Sequence, residues 1–264
     1  MSEDELILTS IRKCERSDLY ANHRPLSLRE AMEYADMKRR RRRGEPLQYI
    51  IGECAFYNIK LMVNEDVLIP RPETEFLVEY AIKKIKTLDY HSVKILDIGV
   101  GSGNISLSLA KNIANAFIVG IDISKKALDC AHANATLNQL EEKVHFIKSD
   151  MFYHFDRIGG PLSFDVIISN PPYIKTKDLA DLPYDVQKEP PVALNGGLDG
   201  LLFYRKIAKE AHRFLNPGGF LFLEIGDGTK DDIIDIFMKK EHWVVKETRR
   251  DYNQKDRILF LQRR

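Results

Sequence analysis

Val93-Lys94-Ile95-Leu96-Asp97-Ile98-Gly99-Val100-Gly101-Ser102-Gly103-Asn104 is the stretch whose reading decides the fold. Residues 93–98 read as a strand, the glycines as a tight loop, and Asn104 as the start of a helix. Glycines let the backbone turn sharply and approach a ligand with no Cβ in the way. The same alternation continues downstream. Strands are predicted over 117–121, 144–147, 164–169, 220–224, 243–247 and 257–261, and helices over 104–115, 125–137, 201–215 and 231–240. Strands alternating with helices imply an α/β fold with a mostly parallel, Rossmann-like sheet covered by helices on both faces. The final two strands are close enough to pair antiparallel.

Upstream of this unit, 47–69 reads as a β-hairpin with strands over 48–56 and 59–68 and Tyr57-Asn58 at the turn. Ile69-Pro70-Arg71-Pro72-Glu73-Thr74-Glu75 then forms a stiff charged loop leading into a helix. Arg71, Glu73 and Thr74 either line a ligand entrance or merely cross the sheet end. Further upstream, Ser27 with Glu30 makes a capping box, and Leu28, Ala31, Met32 and Ala35 give one apolar helix face. That helix is expected to end near Arg43, before Gly44 and Pro46. Lys38 through Arg43 are six consecutive cations. They suit a solvated last turn, where they complement the helix dipole, or a contact with RNA or an acidic protein surface. The resulting plan is a small helical domain over 1–45, a hairpin linker over 46–70 and an α/β domain over 71–264, in keeping with a 264-residue chain.

Composition narrows the class. Hydrophobic residues make up 44% of the chain, enough for a substantial core, and the net charge of +1 exerts no global pull toward nucleic acid or acidic membranes. There is no apolar run long enough to span a membrane. The acidic start Met1-Ser2-Glu3-Asp4-Glu5 lacks a signal pattern, so a cytoplasmic location is expected. Cys14, Cys54 and Cys130 are far apart and odd in number, fitting neither a disulfide framework nor metal-ligand spacing. The seven histidines are equally scattered, and no metal site is expected.

Chemistry is expected at the strand ends. The loop spacing is Gly-x-Gly-x-Gly, whereas the dinucleotide fingerprint places its third glycine one position later, which argues against a nicotinamide or flavin site. Asp122 ends the second strand, where a carboxylate is placed to accept from both hydroxyls of a ribose; the alternative is a cap on the helix beginning near Ser124. Asp150 and Met151 follow the third strand, where an acid and an apolar side chain either bracket an adenine or occupy a surface loop. Asn170-Pro171-Pro172-Tyr173 follows the fourth. Neither proline has a backbone N–H, so this loop cannot extend a sheet ladder. Its carbonyls and the Asn170 side-chain oxygen remain free to accept from a planar –NH2 group, with the Tyr173 ring available to cover the plane. Together these four strand ends describe an adenosyl ligand whose reactive end lies beside an amide-binding loop.

At this point the chain resembles the class I methyltransferases that use S-adenosylmethionine. More narrowly, it is similar to the protein-(glutamine) methyltransferases that modify peptide chain release factors. The segments carrying the resemblance are Gly44-Glu45-Pro46-Leu47-Gln48-Tyr49-Ile50-Ile51-Gly52, Pro70-Arg71-Pro72-Glu73-Thr74-Glu75, the glycine loop, Asn170 to Tyr173, and Glu189-Pro190 with Ala193-Leu194. The resemblance implies that Gly99, Val100, Gly101, Ser102, Gly103, Asp122, Asp150, Met151 and Asn170 bind S-adenosylmethionine. It implies that Asn170, Pro171, Pro172 and Tyr173 hold the glutamine of a Gly-Gly-Gln motif, with Asn170, Pro171 and Tyr173 catalytic. It also implies release factors as partners and S-adenosylhomocysteine as product, without metal or membrane. Two departures stand out: the helical domain is short for the family, and Met151 replaces a bulkier aromatic found in some relatives. The alternatives are a nucleic-acid amino methyltransferase acting on adenine or guanine, whose target also presents an –NH2, and a non-catalytic adenosyl-binding module.

Overall fold

A computed structural model describes residues 2–21, 24–88, 91–158 and 163–264. The chain opens with α1 (Glu3–Arg12), α2 (Arg16–Ala21) and α3 (Leu28–Arg42). The capping box forms as expected. Ser27 Oγ accepts from the Glu30 N–H at 3.3 Å, and the Glu30 carboxylate accepts from the Ser27 N–H at 2.8 Å. The helix stops at Arg43, and Gly44 follows at φ +80°.

The expected apolar face of α3 is not the one that packs. Leu28 and Met32 are 80% and 67% exposed, while Met37 is buried with Ile7, and Tyr34 packs against the same cluster. Polar contacts to α1 decide the rotation: Tyr34 donates to Asp4 at 2.8 Å, Lys38 pairs with Asp4 at 2.5 Å and Arg41 with Glu3 at 2.9 Å. The same pairing accounts for much of the basic run. Arg39 is paired with Asp36, Arg40 with Glu45, and Arg41 also meets Asp185 at 3.5 Å. Arg42 and Arg43 form its exposed remainder.

The linker starts differently from its expected form. Residues 47–51 are helical, α4 (Leu47–Ile51), because Pro46 opens the turn and Gly52 closes it in the left-handed region at φ +84°. The hairpin is accordingly shorter, β1 (Glu53–Phe56) and β2 (Ile59–Met62), with Tyr57-Asn58 at its turn as read from the sequence. Its far end is tied down by one side chain. Asn134 Oδ1 accepts from the Met62 N–H at 2.6 Å, and Asn134 Nδ2 donates to the Met62 carbonyl at 2.9 Å.

The alternating unit comprises α5 (Pro72–Lys86), β3 (Val93–Ile98), α6 (Asn104–Asn112), β4 (Ala116–Asp122), α7 (Lys125–Asn138), β5 (Val144–Lys148), α8 (Tyr153–Ile158) and β6 (Phe164–Ser169). It continues through α9 (Pro191–Leu194), α10 (Leu202–Glu210), β7 (Leu215–Glu224), α11 (Lys230–Met238), β8 (Trp243–Arg250) and β9 (Asp256–Arg263). Among the described residues seven strands form one sheet, ordered β5-β4-β3-β6-β7-β9-β8. All neighbours run parallel except β9, which is antiparallel to both β7 and β8. Within this unit, β7 begins earlier than its expected start at 220. Pro217-Gly218-Gly219 reads as a helix-terminating turn but lies inside the strand, where the register with β6 shifts between Phe164 and Val166. A bulge absorbs the proline and glycines, so pairing extends back to Leu215.

Alternate strand residues feed two cores. Ile95, Ile118, Val166 and Phe222 face α5, α6 and α7, whereas Leu96, Ile121, Ile167 and Leu221 face α10 and α11. Each fully buried Leu or Ile of this kind contributes roughly 1.5–3 kcal/mol. Strand order reverses between β3 and β6, so their carboxyl ends open onto the crevice where such sheets bind ligands.

Candidate active site

A cavity of about 260 Å³ occupies that crevice. Gly99, Val100, Gly101 and Ser102 form one wall. The Gly99 and Val100 N–H groups donate to the Ile121 carbonyl at 2.8 and 3.1 Å, which seats the loop on β4. Gly99 and Gly101 have φ of +78° and +55°, and a Cβ on either would meet nothing within 4 Å, so bare backbone borders the open volume. Gly103 does not line the cavity. It caps α6 at φ +85°, where a Cβ would press on Leu107 at 3.1 Å.

Asp122 lines the cavity and braces its wall. Its Oδ2 accepts from the Gly101 N–H at 2.9 Å and its Oδ1 from the Ser124 N–H at 2.8 Å. The helix cap itself is Ser124, whose hydroxyl accepts from the Ala127 N–H. A carboxylate offers about four acceptor directions, so capacity for two hydroxyl donors remains. Burial raises the Asp122 pKa, and its hydrogen bonds to Gly101 and Ser124 oppose the rise. Below the loop lies Asp97, fully buried, with Oδ2 accepting from the Ser106 N–H and hydroxyl at 3.1 and 2.6 Å. Its Oδ1 has no partner among the described residues, and burial pushes the carboxyl up to about 7.

Asp150 and Met151 also line the cavity. Asp150 is exposed and faces Lys206 at 3.9 Å. Met151 sits at φ +49°, its carbonyl accepting from the Ser149 hydroxyl at 2.6 Å, and it packs against the second core.

The opposite wall carries Asn170, Pro171 and Pro172, but not Tyr173. Tyr173 packs against the second core, and burial pushes its phenol up to about 12. The backbone beside it is tightly held. Ile174 N–H donates to the Leu194 carbonyl at 3.0 Å, and Gly196 N–H to the Ile174 carbonyl at 2.7 Å. A Cβ on Gly196 would fall 2.7 Å from the Tyr173 Cα, and one on Gly200 2.5 Å from the Tyr173 carbonyl oxygen. Asn170 Nδ2 donates to Thr74 Oγ1 at 3.0 Å, and Thr74 Oγ1 donates to Glu224 Oε2 at 2.7 Å. Thr74 and Glu224 are both 1% exposed, and burial pushes Glu224 up to about 7.

Of the three candidates in the proline-rich loop, Arg71 and Thr74 line the cavity and Glu73 does not. Arg71 is held by Glu189, whose buried carboxylate accepts from it at 2.6 Å and from the Ile69 N–H at 3.0 Å. Residues not anticipated include Ile123, Val192, Phe203 and Lys206. Phe203 and Lys206 sit on α10, where nothing in an amphipathic helix pattern distinguishes a cavity residue from an ordinary surface one. Ile123 had a legible signal: an apolar residue directly after the cavity-lining Asp122, and 49% exposed.

A family model described as a methyltransferase domain matches residues 90–258, and one described as a PrmC N-terminal domain matches residues 2–52. The release factor glutamine methyltransferase of Thermodesulfovibrio yellowstonii is 40% identical over 99% of this chain and 92% of its own length. Its namesake from Geobacter sulfurreducens is 39% identical over 90% of this chain and 81% of its own length. The chain belongs to the release factor glutamine methyltransferase family. A methyltransferase from Pyrococcus furiosus, 21% identical, shares the fold with a TM-score of 0.53 over 77% of this chain and 88% of that one. S-adenosylmethionine is therefore the methyl donor, and the cavity fits it: open space above bare glycine backbone, a braced carboxylate with acceptor capacity, and apolar neighbours at Ile123 and Met151. Among the described residues no group of three or more His, Cys, Asp or Glu is placed to hold a metal, and no helix is long and apolar enough to cross a membrane.

Proposed function

We propose that this chain methylates the side-chain amide nitrogen of the glutamine in a Gly-Gly-Gln segment of a peptide chain release factor. The observation that carries this reading is a single cavity with the glycine loop and Asp122 on one wall and Asn170-Pro171-Pro172 on the other. Bound S-adenosylmethionine supplies a methyl group on a sulfonium, already a strong electrophile. Gly99, Val100, Gly101, Ser102, Asp122, Asp150 and Met151 would hold it, with Gly103 setting the turn into α6.

An amide nitrogen is a weak nucleophile because its lone pair is delocalised into the carbonyl. The protein's task is then to orient that nitrogen and favour the charge that develops on it. Asn170 Oδ1 and the Pro171 carbonyl accept the two amide hydrogens; the latter receives no hydrogen bond from the described residues. Acceptors aimed at a developing positive charge act more strongly in the transition state than in the ground state. Orientation of this kind is worth up to roughly 7–11 kcal/mol. The proton leaves to water, so no general base is required. Tyr173 belongs to the substrate loop through its backbone, packed under Gly196 and Gly200, rather than through its ring. Partner docking is assigned to 1–45, with 46–70 as linker and 71–264 as transferase domain, and the reaction to the cytoplasm.

The test supplies labelled cofactor to a release factor, to DNA and to RNA in parallel. Label on the release factor, lost when its Gly-Gly-Gln glutamine is changed, is expected. Label on either nucleic acid and none on the release factor overturns the reading.

A further inference from the structure

Asn170 carries an amide whose two ends are chemically opposite, and only one suits the reaction. If its Nδ2 faced the substrate amide, donor would meet donor. Which end faces inward is settled by the groups behind it. Glu224, when ionised, only accepts. The single hydroxyl hydrogen of Thr74 goes to it at 2.7 Å, so Thr74 Oγ1 can only accept from Asn170. That commits Asn170 Nδ2 at 3.0 Å and leaves Oδ1 for the cavity. We propose that Thr74 and Glu224 are positioning residues that set the polarity of the Asn170 carboxamide, so that its oxygen meets the substrate amide. This rests on the function proposed above.

The chain of bonds is reversible in direction, and this gives it a signature. A protonated Glu224 can donate to Thr74 Oγ1, Thr74 can then donate to Asn170, and the carboxamide turns over. Burial places the change near neutrality, with the Glu224 carboxyl raised to about 7. The charged and titratable groups around Glu224 are Glu73 on α5 and Arg71 at its start, Arg257 on β9, Tyr204 on α10, whose hydroxyl donates to the Glu224 carbonyl at 2.9 Å, and Tyr173. Arg71 and Arg257 are bound to Glu189 and Asp251 at 2.6 and 2.9 Å, so neither pairs with Glu224 directly. Activity should therefore rise as pH increases through the Glu224 transition.

The experiment compares the full chain with Thr74→Val, Thr74→Ser and Glu224→Gln. In methyl transfer to a Gly-Gly-Gln release factor, Thr74→Val should lower kcat by about tenfold or more, equivalent to ~1.4 kcal/mol. Cofactor Kd and release-factor KM should stay within about twofold. Thr74→Ser, which keeps the hydroxyl, should restore most of kcat, and Glu224→Gln should flatten the pH profile. Independently of any substrate, the Asn170 side-chain NH2 resonance should shift with pH in the unsubstituted chain and lose that shift in Thr74→Val. Equal impairment in Thr74→Val and Thr74→Ser, or an Asn170 NH2 resonance identical in the unsubstituted chain and Thr74→Val at every pH, overturns the positioning role. Absence of transfer by the unsubstituted chain with a titrating resonance overturns the substrate assignment and leaves the relay standing.

Discussion

The two walls of the cavity are made in different ways. The wall from β3 and β4 is local: the Gly101–Asp122 bond joins residues 21 apart, and backbone amides do most of the holding. The wall around Asn170 is assembled from afar. Its bonds join residues 96 apart (Asn170–Thr74), 150 apart (Thr74–Glu224) and 118 apart (Arg71–Glu189). A backbone-built wall tolerates changes elsewhere in the chain, whereas a side-chain-built wall loses its geometry when one distant partner is removed. Binding of the cofactor and alignment of the substrate should therefore be separable by mutation.

Asn170→Ala is the most severe test of that separation. It removes the Oδ1 acceptor from the wall proposed to align the amide and leaves the glycine loop intact. Methyl transfer should fall by at least about 100-fold, the loss typical of deleting one preorganised transition-state contact. Cofactor affinity, measured by calorimetry, should stay within several-fold. Substantial retained turnover would place the alignment elsewhere. Asp122→Ala makes the opposite cut. It removes the brace on Gly101 and the acceptors proposed for two cofactor hydroxyls, each charge-assisted bond being worth roughly 1.5–3 kcal/mol. Cofactor Kd should rise by about 10–100-fold, while kcat at saturating cofactor stays close to its original value. A fall in kcat alone would mean that the two walls act as one.

The same contrast explains what could be read from the sequence. The strand–helix alternation, the glycine loop, Asp122 and the Asn170 loop were legible because each shows in the pattern of adjacent residues, whereas the order of the strands in the sheet appears only in the structure. Thr74 was visible only as part of a charged loop with two possible meanings, since its partner Glu224 lies 150 residues away. Glu224 itself ended an apolar strand and carried no signal. Tyr173 was expected over the substrate, but the ring packs against the second core. An aromatic residue after two prolines does not disclose which side of the loop it will take. Pro217-Gly218-Gly219 misled for a related reason: a bulge needs the neighbouring strand to reveal it.

Gly196→Ala sharpens the comparison more gently. Its added methyl would lie 2.7 Å from the Tyr173 Cα and 2.8 Å from the Pro172 oxygen, both backbone atoms that cannot rotate away. The 172–173 backbone must shift by a few tenths of an ångström, and a catalytic alignment degrades over such distances. A loss of about tenfold in kcat is expected, with cofactor Kd unchanged and the protein still folded by circular dichroism. Equal loss in cofactor binding would show that strain crosses the cavity.

The smallest effect is expected farthest from the cavity, where local and long-range information again part company. Ser27→Ala deletes the acceptor for the Glu30 N–H at the start of α3 and should cost about 1 kcal/mol in urea unfolding. Leu28→Ala, one residue on, changes a larger apolar side chain at a position that the helical pattern assigns to the core. Because Leu28 is 80% exposed, its removal should stay within about 0.5 kcal/mol, below the cost of losing the cap. The cap depends on four consecutive residues, whereas the buried face of α3 is chosen by Asp4 and Glu3 on another helix. If Leu28→Ala instead destabilised the chain as a buried leucine does, by about 2–5 kcal/mol, α3 would have to be rotated and its salt bridges to α1 broken. Reversing Asp4 to Lys in that background would then cost nothing further, whereas the observed packing requires it to destabilise.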